Sequence, residues 1–415
     1  MEATDVHRTV EAIWRMESAK LVAALTRIVR DLGLAEEFAQ DALVAAFQQW
    51  PDGGVPDNPA AWLMTTARRR AIDHLRRQSR FEENIVLTAE PAATPLEVEA
   101  PYTDDDLGDD MLRLVFTACH PEVPIEGRVA LTLRILGGLT TPEIARAFLV
   151  SETTVAQRIV RAKRVLADNS VPYEVPTRDA LKPRLEAVCD VIYLIFNEGY
   201  SATAGQDWVR PELCQDALRL GRMLAALMPD EAEVHGLVAL MEIQASRLRA
   251  RIGPSGEPVL LLDQDRRRWD RLLINRGIVA LERAERKSQE RGPLTTQAAI
   301  AACHARALDP YDTDWMRIAS LYDALFETTP SPVVQLNRAV AHGMAYGPEA
   351  GLELVEELSD SGELSSYHLL ASVRGDLLAK LGRLDEARAE FDKAASMTQN
   401  LRERELLLAR VSELS

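Results

Sequence analysis

A helix-turn-helix pattern occupies residues 140–166, TTPEIARAFLVSETTVAQRIVRAKRVL. A first short helix is predicted to begin at Thr141, because threonine is a good N-cap and Pro142 and Glu143 suit the first turn. A second helix is predicted to follow Ser151, which is another good N-cap. Two helices joined by a short turn can place the second helix in the major groove of DNA.

The second predicted helix has an apolar face and a polar face. Its apolar residues recur at helical spacing and are expected to pack inward: Val155, Ile159, Ala162 and Leu166. The neighbouring face carries groups that suit base edges and phosphates, at Thr154, Gln157, Arg158 and Arg161. The same pattern occurs in all-α proteins that do not bind DNA, and Leu149 stands at a turn position where such motifs often have glycine. DNA binding and a purely structural helix pair are therefore both compatible with this stretch.

The composition predicts an all-α protein of two to four domains. The 415 residues are 47% hydrophobic and 5% aromatic, and alternating apolar and polar runs are nearly absent. The four cysteines stand singly, without the spacing of a zinc site, so neither a metal nor a cofactor is expected. The sequence shows no signal peptide and no apolar run of the ~20 residues that span a bilayer, which predicts a cytoplasmic protein without membrane contact.

The charge distribution argues that the protein needs help to bind DNA. The net charge is −16, and residues 81–112 contain ten acidic and no basic side chains. Basic residues are concentrated at 68–80 and 158–164. Because the summed field of an acidic chain repels DNA, a partner that supplies affinity is expected.

Three amphipathic helices are predicted in the first 80 residues. They cover residues 17–30, 35–50 and 60–77, and the loop at 51–59 is rich in proline, glycine and aspartate. The second helix carries acidic residues and glutamine near its start, and the third contains ARRRAIDHLRR at 67–77. An acidic helix start is also the ordinary arrangement of a solvated helix, because the helix dipole favours it.

This order of elements resembles the extracytoplasmic-function sigma factors of bacterial RNA polymerase. Residues 1–80 resemble their region 2, and residues 111–170, which include the helix-turn-helix, are similar to their region 4. The resemblance implies a protein that binds core polymerase through its β′ and β subunits and directs it to promoter DNA. It also implies that the chain has no catalytic residues of its own.

The resemblance assigns residues to three surfaces. Core polymerase binding, through the β′ subunit, is implied for Glu36, Glu37, Gln40, Asp41 and Phe47. Contact with the −10 element, whose unstacked base needs a pocket and basic residues, is implied for Asn58, Trp62, Arg69, Arg76 and Arg77. Contact with the −35 element is implied for Thr153, Thr154, Gln157, Arg158 and Arg161, with Lys163 and Arg164 directed at phosphates. Trp62 is equally compatible with a core position, and Arg69 stands where the family often has asparagine, which leaves the −10 sequence open.

Residues 81–110 are predicted to form a flexible acidic linker between the two domains. Their prolines, threonines and acidic residues show no helical period. In the family such a linker passes near the RNA exit path of the polymerase, where acidic residues can mimic nucleic acid. A solvated tether is an equally good interpretation.

The chain continues far beyond the two sigma-like regions. A helical domain is predicted at 171–300 and helical repeats at 301–415, where 336–358 and 369–397 each have the helix, turn and helix typical of a tetratricopeptide repeat. Such repeats form a concave surface that suits a protein segment or the chain's own sigma-like domains. The whole chain resembles the sigma-factor subgroup with a long tetratricopeptide-like extension, in which the extension is thought to serve regulation.

Two polar segments interrupt the apolar helices of the extension, NEGY at 197–200 and LLDQDRRRWD at 261–270. A ligand site is one interpretation, but helix caps and buried ion pairs are preferred. An enzyme centred on Asn197, Glu198, Asp263 and Asp265 is disfavoured, because these residues form no nucleophile, base or metal constellation. The favoured function is an alternative sigma factor, and the second is a helix-turn-helix regulator with a repeat-type sensor domain.

Overall fold

The computed structural model describes residues 3–85, 104–148, 150–169, 171–202, 208–254 and 256–414. Within these ranges the regular elements are helices, apart from an isolated β-bridge between Ile252 and Pro258. The predicted all-α fold is therefore confirmed. The chain divides into two compact units, Met1–Ile192 and Tyr193–Ser415.

The first unit begins with three helices, α1 (Ala3–Val29), α2 (Leu32–Gly53) and α3 (Pro59–Ile85). Each is longer than its sequence prediction. Asp31 caps α2 by accepting a hydrogen bond from the backbone N–H of Leu34 at 2.8 Å, which satisfies one of the unpaired donors of the first turn. Alanines make up much of the core among these helices, where small side chains allow close packing around Trp50 and Leu63.

Helices occupy both ends of the predicted acidic linker. Helix α3 continues to Ile85, and α4 (Asp104–Ala118) begins before residue 110, while residues 86–103 lie outside the described part of the chain. Asp110, predicted to be in the flexible linker, is fully buried and pairs with Arg113 at 2.6 Å. Helices therefore reach into both ends of the segment predicted as a linker, at residues 81–85 and 104–110.

The predicted helix-turn-helix is present as α6 (Thr141–Phe148) and α7 (Glu152–Asp168), supported by α5 (Ile125–Ile135). Thr140, not Thr141, makes the capping contacts of α6, because its backbone N–H and hydroxyl both donate to Glu143 Oε2 at 2.7 Å. Ser151 caps α7 as predicted, by accepting a hydrogen bond from the N–H of Thr154 at 3.1 Å. The four apolar residues predicted to face inward on α7 are all buried.

Helix α8 (Arg178–Tyr200) contains the boundary between the two units. The later helices are α9 (Pro211–Leu227), α10 (Ala232–Ala245), α11 (Arg271–Lys287), α12 (Pro293–Arg306), α13 (Trp315–Thr328), α14 (Pro332–Tyr346), α15 (Pro348–Ser361), α16 (His368–Lys380), α17 (Leu384–Met397) and α18 (Leu401–Glu413). Short 3₁₀ helices lie at Leu248–Ala250, Arg266–Arg268 and Pro310–Asp312.

The C-terminal repeats are paired helices, as the sequence predicts. Helix α14 packs on α15, and α16 packs on α17. The first pair approaches closely at Gly351, where a Cβ atom would lie 2.7 Å from the carbonyl oxygen of Ala339. In the second pair Gly375 faces the ring of Phe391, which is fully buried. Glycines at these crossings let the helix backbones pack more closely than larger residues would.

Candidate nucleic-acid interface

Helix α7 presents a polar face beside its buried apolar stripe. Four of the predicted DNA contacts on it are exposed: Thr153, Gln157, Arg161 and Arg164. Thr154 and Arg158 are half-buried, and the hydroxyl of Thr154 lies 2.8 Å from that of Ser151. Arg164 forms an ion pair of 3.3 Å with Asp168, but both side chains remain largely exposed. This face combines hydroxyl, amide and guanidinium donors that can reach base edges and phosphates.

Lys163 differs from the rest of this face, because its ammonium group contacts the carboxylate of Glu36 on α2. Arg134 on α5 contacts the same carboxylate, with Nε 2.8 Å from Oε1. Gln40 also donates to Oε1 of Glu36, at 2.8 Å. A residue predicted to bind core polymerase and a residue predicted to bind DNA phosphate thus contact each other.

The Glu36 carboxylate is the electrostatic centre of this contact, and Glu36 is only 8% exposed. Burial raises its pKa, but the positive charges and hydrogen bonds of Lys163 and Arg134 outweigh burial, so the pKa lies below its usual range. The contact therefore stabilises the ionised form of Glu36.

The other predicted polymerase contacts lie along α2. Glu37 is exposed, and Phe47 is half-buried. Asp41 forms an ion pair with Arg70 of α3, with 3.0 Å between the charged atoms. Glu37 and Asp41 are accessible on this helix, whereas Glu36 is enclosed.

The predicted −10 residues surround the start of α3 and follow its arginine-rich face. Asn58 caps this helix by accepting a hydrogen bond from the N–H of Ala61 at 3.0 Å. Trp62 is half-buried and packs edge-on against Trp50, with 5.4 Å between ring centroids. Three predicted arginines are exposed: Arg69, Arg76 and Arg77. The structure therefore leaves the guanidinium groups accessible but uses the side-chain oxygen of Asn58 as a helix cap.

A second cluster between the early helices was not predicted from the sequence. Arg27 of α1 lies 3.3 Å from the buried carboxylate of Asp110. The hydroxyl oxygen of Tyr173 lies 2.9 Å from each of two backbone carbonyl oxygens, those of Ala23 and Asp110. Nothing in the acidic run around Asp110 or the proline-bounded segment around Tyr173 distinguishes these residues from their exposed neighbours.

The two polar segments of the extension contain helix caps and ion pairs, as preferred from the sequence. Asp265 caps the 3₁₀ helix at Arg266–Arg268, and Asp270 caps α11. Glu198 pairs with Arg210. The buried guanidinium of Arg266 donates to the carbonyl oxygens of residues 304 and 307, at 2.8 Å each.

In the part of the chain that the structure describes, histidine, cysteine, aspartate and glutamate side chains form no group of three or more that could hold a metal ion. No helix within the described ranges is long and apolar enough to cross a membrane.

Three family models match separate parts of the chain. The model "Sigma-70 region 2" matches residues 13–81, and "Sigma-70, region 4" matches residues 113–166. The first match covers all of α2 and most of α1 and α3, and the second includes the helix-turn-helix. A model described as "Family of unknown function (DUF6596)" matches residues 184–285.

Some similar proteins match most of this chain, and others match less than half of it. An uncharacterized protein of Rhizobium meliloti is 46% identical over 387 residues, which cover 92% of this chain and 90% of the relative. The ECF RNA polymerase sigma factor SigL of Mycobacterium tuberculosis is 30% identical over 158 residues, 38% of this chain and 86% of the relative. The ECF RNA polymerase sigma factor SigK of Mycolicibacterium vanbaalenii is 28% identical over 37% of this chain and 78% of the relative.

Proposed function

The chain belongs to the extracytoplasmic-function sigma factors of bacterial RNA polymerase, and on that premise we propose which of its surfaces bind the polymerase and which read the promoter. Promoter recognition is the function of the family, and core polymerase and promoter DNA are its partners. The chain carries out this function as a transcription factor in the cytoplasm, with no reaction and no cofactor of its own.

The polar face of α7 is the surface that we assign to the −35 element, and it is the observation that carries the proposal. Its hydroxyl, amide and guanidinium groups lie beside a fully buried apolar stripe, so the rest of the domain holds the helix while the face stays open. We assign base and phosphate contact to Thr153, Thr154, Gln157, Arg158 and Arg161, and phosphate contact to Lys163 and Arg164.

We assign the −10 element to the start of α3 and its exposed arginines. Arg69, Arg76 and Arg77 would hold the phosphates around an unstacked base. Trp62 is half-buried against Trp50, so part of its ring remains accessible to a base. Asn58 contributes through its amide nitrogen, since its oxygen caps the helix.

We assign core polymerase binding, through the β′ subunit, to the acidic start of α2. Glu37 and Asp41 offer carboxylates, Gln40 an amide and Phe47 an apolar support. Glu36 belongs to the same surface, although its carboxylate is enclosed in the structure. The β subunit is the second expected contact.

The extension is assigned a regulatory role. Its paired helices form repeats of the kind that bind a protein segment, and its polar segments contain helix caps and ion pairs. The partner is either another protein or the sigma domains of the same chain.

Reconstitution with bacterial core polymerase tests the proposal. We expect stable association with core and promoter-specific run-off transcription. The double variant Arg158→Ala plus Arg161→Ala should lose −35-dependent initiation and keep core binding, because α7 contributes guanidinium groups to DNA only. A matched control is Arg276→Ala plus Arg283→Ala, which removes two exposed arginines from α11.

Two results would contradict the assignment. Absence of core binding by the natural chain would favour the second candidate, a helix-turn-helix regulator that binds duplex DNA without polymerase. Loss of core binding in the α7 variant would remove the DNA-reading role from Arg158 and Arg161.

A further inference from the structure

The region 2 domain (α1 to α3) and the region 4 domain (α4 to α7) contact each other directly. Helix α1 packs against α4 and α5. Glu36 meets Arg134 and Lys163 at one place in this contact. Arg27 meets Asp110 at another, where Tyr173 also contacts both domains. We call these six residues the region 2–region 4 junction.

The junction is built from groups that need one another. The side chain of Glu36 is 10% exposed, and those of Arg134 and Lys163 are 25% exposed, so the carboxylate has exchanged most of its water for two cations. Asp110 is fully buried beside Arg27 and Arg113. A carboxylate that stays buried after losing its cation costs free energy. Partial separation of the two domains is therefore unfavourable.

The junction covers the two assigned surfaces unequally. On α2 it encloses Glu36, which is assigned to core polymerase binding and which also accepts a hydrogen bond from Gln40 of the same helix. On α7 it engages Lys163 and leaves Gln157, Arg161 and Arg164 exposed. Closure therefore affects the polymerase-binding surface more than the DNA-reading face.

We propose that this arrangement is a closed, self-inhibited form of the sigma factor, in which the region 4 domain occupies part of the core-binding surface of region 2. The proposal rests on the assignment of Glu36 to core binding. Polymerase competes with Arg134 and Lys163 for the Glu36 carboxylate, and opening of the junction releases Lys163 for DNA phosphate. The apparent affinity for polymerase is then the intrinsic affinity multiplied by the open fraction.

Variants outside α2 can open the junction without changing the residues that are assigned to polymerase binding. Arg134→Gln plus Lys163→Gln removes both cations and leaves α2 unchanged. Tyr173→Phe removes one hydroxyl from the second cluster, which lies on neither assigned surface. The matched control is Arg164→Gln, which neutralises the exposed residue next to Lys163.

Two measurements are made on the full chain. Spin labels at Thr65→Cys and Glu126→Cys, both exposed positions, report the distance between the two domains without polymerase. The four natural cysteines are buried, so the label is directed to the introduced ones. Binding of the unlabelled variants to core polymerase is measured in the absence of DNA.

We expect both junction variants to lengthen the distance between the labels. Arg134→Gln plus Lys163→Gln should bind core about tenfold more tightly than the natural chain, as for a closed form that outnumbers the open one by roughly ten to one. Tyr173→Phe should bind core about fourfold more tightly, because one hydrogen bond contributes only about 1 kcal/mol. The control should match the natural chain in both measurements. Unchanged distance in both variants, or greater distance with unchanged core binding, would overturn self-inhibition and leave the sigma function intact. Failure of the natural chain and of every variant to bind core would instead overturn the proposed function and this inference with it.

Discussion

Replacement of Glu36 by glutamine tests the charge at the centre of the junction. Two unit charges about 4 Å apart interact by about 4 kcal/mol at the effective dielectric constant of about 20 that suits protein surfaces. Glu36 faces two cations, Arg134 and Lys163, but it loses hydration on burial and each cation keeps a quarter of its exposure. After this discount we expect Glu36→Gln to destabilise the closed form by about 2 kcal/mol relative to the open form. This is roughly a 30-fold fall in the ratio of closed to open chain.

The assay is the distance distribution between labels at residues 65 and 126, from which the closed and open fractions are read. Glu37→Gln is the control, because Glu37 is the next residue of α2 and is exposed. An equal effect of the two substitutions would refute the reasoning, since a general change in the charge of α2 would then explain it. A shift much below threefold for Glu36→Gln would show that desolvation cancels the ion pairs.

The lowered pKa of Glu36 predicts how closure depends on pH. The pKa of Glu36 is lowered in the closed form, so closure gains stability from this group above its ordinary pKa of 4.5 and loses it as the pH falls through the lowered value. The natural chain should therefore open more than Glu36→Gln as the pH is brought below about 4.5. Equal acid responses in the two proteins would assign the opening to carboxylates other than Glu36.

Three further substitutions test the fold that carries these surfaces. Gly351→Ala should lower the free energy of unfolding of the repeats by about 1–3 kcal/mol, because its Cβ would lie 2.7 Å from the backbone oxygen of Ala339; thermal unfolding with the exposed Glu353→Ala as control checks this, and an unchanged midpoint contradicts it. Phe391→Ala should cost about 3–5 kcal/mol by emptying a fully buried site, and denaturant unfolding that matches the natural chain would refute this. Thr140→Ala should cost about 1 kcal/mol by removing the hydroxyl that donates to Glu143; a smaller loss than in Thr141→Ala would return the cap of α6 to Thr141.

Local patterns in the sequence were sufficient for the helix-turn-helix. The apolar stripe of α7 recurs every three to four residues, and such a period leaves one face to bury, as observed from Val155 to Leu166. The cap of α6 was misplaced by one residue because Thr140 and Thr141 are both suitable caps. The glutamate three residues after Thr140 distinguishes them, since it completes a capping box.

Helices extend into both ends of the predicted acidic linker for a reason that composition does not capture. A run of aspartates has low helix propensity, but near the start of a helix it is favoured by the dipole, and α4 begins inside such a run at Asp104. Composition averaged over thirty residues does not register that Asp110 has a partner in Arg27 of α1. At Asp110, tertiary contact therefore overrides what the composition of the segment predicts.

The junction could not be predicted, because its partners are far apart in the chain and ordinary in their local setting. Glu36 and Lys163 are separated by 127 residues, and each has a sufficient local explanation, one at an acidic helix start and the other on a basic helix face. Two such faces of opposite charge in one chain attract each other as well as their outside partners. A sigma factor that carries an acidic polymerase-binding helix and a basic DNA-reading helix therefore has the components of self-inhibition in its sequence, and only the packing of α1 on α4 and α5 decides that Glu36 meets Arg134 and Lys163.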